Sequence, residues 1–136
     1  MTTFDDVAAL ALALPDVSEG LRWGNRTWLV NGNGFAWERP FSKADIKRFG
    51  ELTPPAGEIL AVSVDDLAEK EAVLAENHPG FFTIQHFDNY PAVLIQLDKV
   101  RKKALRDAIV DAWLSCAPRP LAEQYLASGR TRRRST

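Results

Sequence analysis

Asn31-Gly32-Asn33-Gly34 limits what this chain can fold into more than any other stretch. Asn and Gly accept the positive φ that tight hairpin turns require. The flanking residues within 21–39 are rich in Trp, Val, Leu and Phe, so this part reads as antiparallel strands. Every register with an even-length loop places the same residues on one face: Trp28, Val30, Phe35 and Trp37, with Arg26 and Arg39 at its outer end. Thr27, Leu29, Ala36 and Glu38 then share the other face, and a three-residue loop would reverse this parity. Rings so arranged are foremost core, and they are also able to stack on bases or a planar ligand.

Helices and further strands follow from capping and periodicity. Thr3 and Asp6 have capping-box spacing, and Val7, Leu10, Ala11 and Leu14 mark one helix face that Pro15 ends. Residues 16–20 read as a connecting loop. Ser42 caps a short helix over 43–50, with Asp45 at its third position. Residues 53–57 are a turn, 58–64 a strand, and Asp65 the N-cap of a helix over 66–77 that His78-Pro79-Gly80 stops. Two strand runs, 81–84 and 92–97, flank a loop. A long helix carries Leu105, Ala108, Ile109, Ala112, Trp113 and Cys116 at i, i+3, i+4 spacing, and a last helix spans 121–127. The pattern predicts one α+β domain over 1–127, with an antiparallel sheet.

The 136-residue chain is 46% hydrophobic and 26% charged, the balance of an ordinary globular domain. No apolar run is long enough for a membrane helix. The acidic start Met-Thr-Thr-Phe-Asp-Asp does not read as an export signal, and one cysteine, Cys116, fits a reducing cytoplasm. Four arginines (Arg130, Arg132, Arg133, Arg134) lie in the last seven residues, and 128–136 reads as a disordered basic tail. Without that tail the chain holds thirteen basic residues against eighteen acids, a balance of −5 that does not favour phosphate backbone.

The loop between the last two strand runs, Gln85-His86-Phe87-Asp88-Asn89-Tyr90, gathers an imidazole, a carboxylate, an amide and two rings. These are turn residues, and they are also groups that contact ligands. His86 and Asp88 together would make an acid–base pair if they faced each other. Arg101, Lys102 and Lys103 open the long helix, where cations oppose the helix dipole or await an anion such as phosphate or an acidic peptide.

With these elements in order, the chain resembles the MmcQ/YjbR family. The likeness runs from about Phe4 to about Leu126: an opening helix ending in Leu14-Pro15, then Trp23-Gly24, the glycine-turn hairpin, the 58–77 strand and helix, His86-Phe87, the 92–97 strand and a long closing helix. The resemblance implies a CyaY-like, frataxin-like sandwich with helices on one face of the sheet. It also implies a DNA-binding label resting on a double-wing arrangement, and no catalytic residues or cofactor. In that reading Arg26, Arg39, Lys43, Lys47 and Arg48 meet phosphates, while Trp23, His86 and Tyr90 stack or touch base edges. Many members carry His-Trp-Asn where this chain has His86-Phe87-Asp88, and an Asp there repels phosphate. The rival reading is a pocket for a small ligand or protein, lined by Asp88, Asn89 and Tyr90 against the sheet.

Other chemistries lack their residues. His78, His86 and Cys116 are too scattered for a zinc or iron site, and Asp5 and Asp6 are too few for an acidic iron-binding ridge. There is no P-loop, dinucleotide fingerprint or nucleophile elbow, and Cys116 lies in an apolar stripe. A non-enzymatic binding module is the expectation.

Overall fold

The chain enters through a capped helix. In the computed structural model, which describes residues 2–128, α1 (Phe4–Leu12) begins with the expected capping box. The Asp6 carboxylate accepts from the Thr3 N–H at 2.8 Å, and the Thr3 hydroxyl accepts from the Asp6 N–H at 3.3 Å. The next residues depart from the expected loop. Asp16 turns the chain at φ 58°, and β1 (Val17–Arg22) pairs along its length with β2 (Asn25–Val30). Ser18, Glu19 and Gly20 are weak strand formers, but β1 lies at the sheet edge, where one neighbour is enough to hold it.

Two tight turns make a three-stranded meander. Trp23-Gly24 and Asn31-Gly32 each take positive φ at both residues (57° and 77°, 52° and 76°), the mark of a type I′ hairpin. Val30 faces Asn33 across the second turn, so its loop is the even-length one. The face it sets does not persist along β3 (Asn33–Glu38). Leu29 pairs with Gly34 but Trp28 pairs with Ala36, which leaves Phe35 as an extra, unpaired residue. This β-bulge puts Phe35 and Ala36 on the same side as Trp28 and Val30, and it sends Trp37 to the side of Thr27. The expected wall of Trp28, Val30, Phe35 and Trp37 therefore loses Trp37 and gains Ala36. The same shift separates Arg26 from Arg39, which were expected side by side.

The remaining elements follow the predicted order. They are α2 (Lys43–Phe49), β4 (Ile59–Ser63), α3 (Leu67–Ala75), β5 (Phe81–Phe82), β6 (Ala92–Gln96), α4 (Lys102–Cys116) and α5 (Arg119–Ala127). The N-cap of α3 is Asp66 and not Asp65, its carboxylate accepting from the Glu69 N–H at 2.8 Å. The 81–84 run keeps only two strand residues, because a 3-10 turn at Gln85–Phe87 pulls the chain away from the sheet. The result is an α+β domain on one antiparallel sheet of order β1-β2-β3-β4-β6-β5. From residue 129 on, the expected basic tail lies outside the described residues.

Both faces of the sheet are buried in its middle. On the main face α1, α3, α4 and α5 cover Trp28, Phe35, Leu60 and Ile95, with Trp113 of α4 fully buried. The Trp113 indole N–H donates to the Pro15 carbonyl at 3.1 Å, joining positions 98 residues apart. The second face holds a smaller core of Ile59, Ala61, Leu94 and Phe87, against which Trp37, Phe41, Phe49 and Phe82 pack. No helix among the described residues is long and apolar enough to cross a membrane.

A Cβ on Gly32 would meet nothing within 4 Å, so substitution there tests backbone conformation alone. Gly32→Ala is expected to lower the unfolding free energy by about 1 kcal/mol. Gly32→Asn is expected to cost less, since Asn tolerates the left-handed region; urea denaturation of both variants checks the order.

Candidate functional site

The second face of the sheet is left partly open in front of β2 and β3. A groove of about 830 Å³ runs there, floored by Thr27 and Trp37 and walled on the far side by the loop after the 3-10 turn. Gly34 deepens the floor. A Cβ on it would come within 3.1 Å of Thr27 and 3.4 Å of the Arg22 guanidinium, which crosses at that point to donate to the Gly32 carbonyl. Trp23 stands at one end of the groove on its hairpin turn, 97% exposed. His86, Asp88, Asn89 and Tyr90 form the opposite wall.

A buried lysine fixes that wall. Lys70 of α3 is 7% exposed, and its ammonium donates to the Phe87 carbonyl at 2.5 Å and the Tyr90 carbonyl at 2.9 Å. Burial pushes its pKa down, and the nearby Asp88 carboxylate partly opposes that. Phe87 turns inward from the same loop, with the Arg39 guanidinium 5.5 Å above its ring and Tyr90 at its edge. Asn89 takes φ 62°, which completes the turn and aims Tyr90 back at the groove. Sequence reasoning did not single out Lys70. Flanked by Glu69 and Glu71 it reads as a solvated residue, and its only signal is that it lies one turn from buried Val73.

A buried carboxylate supports the same side through Arg39. Asp45, 3% exposed, closes the α2 capping box with Ser42, meets Arg39 at 3.0 Å and lies 3.6 Å from Arg48. Burial alone would raise its carboxyl. The hydrogen bonds from Ser42 and Arg39 outweigh burial and hold it below the ordinary Asp range. Arg39 is thus positioned by Asp45 and Phe87 together.

Of the residues expected to make contacts, the groove brings together Trp23, Arg39, His86, Asp88, Asn89 and Tyr90. It does not gather the basic set. Arg26 lies on the main face, over the Trp28 ring at 5.4 Å and bridged to Glu19 at 3.0 Å and Asp5 at 3.1 Å. Hydrogen bonds from Arg26 hold the Glu19 carboxyl below its ordinary range, with the Trp28 indole adding to them against the effect of burial. Arg48 is held by Asp45, while Lys43 and Lys47 lie on α2 outside the groove. The groove's own charges, Arg22 and Arg39 against Glu38 and Asp88, balance. Its polar groups also include Asn25, whereas its rings span Trp23, Trp37, His86, Phe87 and Tyr90. Asp88 is coupled to Lys70, and no hydrogen bond joins it to His86 among the described residues. No group of three or more His, Cys, Asp or Glu close enough to hold a metal occurs among them either.

The sequence and its fold match known proteins. The model of the YjbR family covers residues 12–115. The chain belongs to the YjbR family. Uncharacterized proteins of Mycobacterium tuberculosis (Rv2570) and Mycobacterium bovis (Mb2600) are each 39% identical to it over 131 residues, 94% of this chain and 98% of theirs. Protein DR2400 of Deinococcus radiodurans, a DUF419 domain solved by crystallography, shares the fold with a TM-score of 0.56 at 19% identity. That match covers 84% of this chain and 78% of that one. This YjbR protein thus has the antiparallel α+β architecture that the resemblance implied.

Lys70→Met keeps the length of the side chain and leaves the two loop carbonyls without their donor. It is expected to lower stability by about 2 kcal/mol and to speed amide exchange in the 85–91 loop, measured by hydrogen-exchange mass spectrometry. For Asp45, whose folded pKa is depressed, the stabilisation is full above the ordinary value of 3.8 and is lost as pH falls through the lower folded value. Asp45→Asn is expected to cost about 2 kcal/mol near neutral pH, because Arg39 and Arg48 keep some water. The difference from the parent should shrink below pH 3.8 in acid-denaturation curves.

Proposed function

We propose that this YjbR protein is a non-enzymatic binding module whose site is the groove between the Trp23 turn and the 85–91 loop. Its ligand is planar and carries little net charge. One observation carries this reading: the groove is lined by five rings, His86 among them, while its two cations and two carboxylates balance. Stacking on Trp23, Trp37 and Tyr90 supplies affinity without selecting for charge, and Asn25, Asn89 and Asp88 supply hydrogen-bond partners that orient the ligand. The buried supports, Lys70 and Asp45, hold the 85–91 wall and Arg39 in place before binding, which lowers the ordering cost.

Less supports a duplex-DNA site. Such a site needs unpaired cations along one surface, and here Arg26 is taken up by Asp5 and Glu19 while Arg48 is taken up by Asp45. The cytoplasm suits the single thiol, half-buried beside Ser115.

Tryptophan fluorescence titrations with adenosine, as an uncharged planar probe, and with a short DNA duplex separate the readings. Adenosine is expected to bind with little salt dependence, and Trp23→Ala or Tyr90→Ala to weaken it about tenfold each. Duplex binding by both the full chain and residues 1–127, with a steep salt slope, would overturn the groove reading. Duplex binding by the full chain alone would assign that affinity to the arginines after residue 129.

A further inference from the structure

The two edges of the sheet are built differently. At one edge β5 keeps only Phe81–Phe82, and the Phe81 N–H donates locally to the His78 carbonyl at 3.2 Å. At the other edge β1 (Val17–Arg22) has no proline and no bulge, and it pairs in full register with β2. Short length, proline, bulges and charge are the usual means of keeping an edge from pairing with another chain. The one acid of β1, Glu19, is no such guard, because Arg26 and the Trp28 indole of the same chain already hold its carboxylate.

The Trp23-Gly24 turn fixes which backbone groups of β1 face outward. A two-residue hairpin closes on a hydrogen-bonded pair, here Arg22 and Asn25, and bonded and non-bonded pairs alternate from there. Gly20 with Thr27 and Ser18 with Leu29 are thus bonded within the sheet. The N–H and C=O groups of Val17, Glu19 and Leu21 point to the open rim. No turn, loop or side-chain hydrogen bond takes them up among the described residues. Beside them the Leu21 side chain lies bare, with Leu21 72% exposed.

We propose that β1 pairs antiparallel with β1 of a second copy of this chain, about a two-fold axis at Glu19, so that two sheets become one. In this register the rim is complementary to itself. Val17 meets Leu21 of the second copy on the main face, Leu21 meets its Val17, and roughly six backbone hydrogen bonds form. One step further out, Arg22 comes level with the exposed Asp16 of the second copy, and symmetry repeats the pair. The Arg22 guanidinium donates to the Gly32 carbonyl through Nη2, and its other nitrogens can meet that carboxylate. The two Glu19 carboxylates come face to face, each already bridged by its own Arg26. A register centred on Gly20 would instead set Leu21 opposite Glu19 and part Arg22 from Asp16. Because the β5 edge is blunted, assembly closes at two copies. One strand pair is a small contact, so the dimer forms only at high concentration. The pairing is independent of the groove and its ligand.

Sedimentation velocity on the full chain from about 10 µM to about 1 mM, with amide exchange at both ends of that range, tests this. The expected result is a shift from monomer to dimer. Exchange at Glu19 and Leu21 should slow at least about fivefold at the higher concentration, while Ser18 and Gly20, bonded to β2 in either state, stay unchanged. Leu21→Lys alters a side chain that is exposed in the single copy, so it should keep the fold and leave the chain monomeric throughout. Asp16→Asn keeps a residue that accepts φ 58° and should weaken the dimer at least about threefold. A chain that stays monomeric across the range would overturn the proposal. So would a dimer whose Glu19 and Leu21 amides exchange as fast as in the monomer, undiminished association of either variant, or assemblies larger than two.

Discussion

Phe35 has no partner across the β2–β3 ladder, and the two cores of the protein depend on that single irregularity. In a regular strand Phe35 and Trp37 would share a face and Ala36 would point away. The extra residue instead lets β3 place Phe35 and Ala36 under α4 on the main face while Trp37 turns to the second face. There Trp37 joins Phe41, Phe49 and Phe82 in a small aromatic core, and it also forms the floor of the groove. One strand thus serves two layers. Without the bulge, Trp37 would compete for space already filled by Trp28 and Trp113, and the second face would have no aromatic floor.

Electrostatics follow the same division. Two arginines near the hairpin are committed on opposite sides of the sheet: Arg26 to Glu19 and Asp5 over Trp28, and Arg39 to Asp45 over Phe87. Both guanidiniums lie on rings while their charge is met by carboxylates, so they act as packing elements as much as charges. What remains in the groove is aromatic surface with balanced charge.

Legibility in the sequence tracks the range of the interaction. The capping boxes at Thr3 and Ser42 and the Asn31-Gly32 turn are set by residues within three positions, and each forms as read. The stripe of α4 was equally plain, because Leu105, Ile109 and Trp113 repeat at helical spacing. Strand β1 was hidden because an edge strand of Val-Ser-Glu-Gly-Leu-Arg alternates weakly and owes its form to β2. The bulge was not read because Gly34, the glycine beside it, counts equally as part of the Asn31–Gly34 turn. The 85–91 loop was visible as a cluster of contact groups, but Lys70, which holds it, comes from α3 and carries the charge of a surface residue. Asp45 was legible as a cap and not as the partner of two arginines, since those pairings depend on how α2 packs back against β3.

The bond from Trp113 to the Pro15 carbonyl also bears on how the chain comes off the ribosome. The meander β1–β2–β3 is complete by residue 38, yet the helix that covers its Trp28 and Phe35 ends at Cys116. Until α4 is made, a nascent sheet bearing large apolar rings lacks that cover, and its β1 edge stays open to pairing. The main core can therefore close only after α4 has emerged and Trp113 has met the residues just after the first helix.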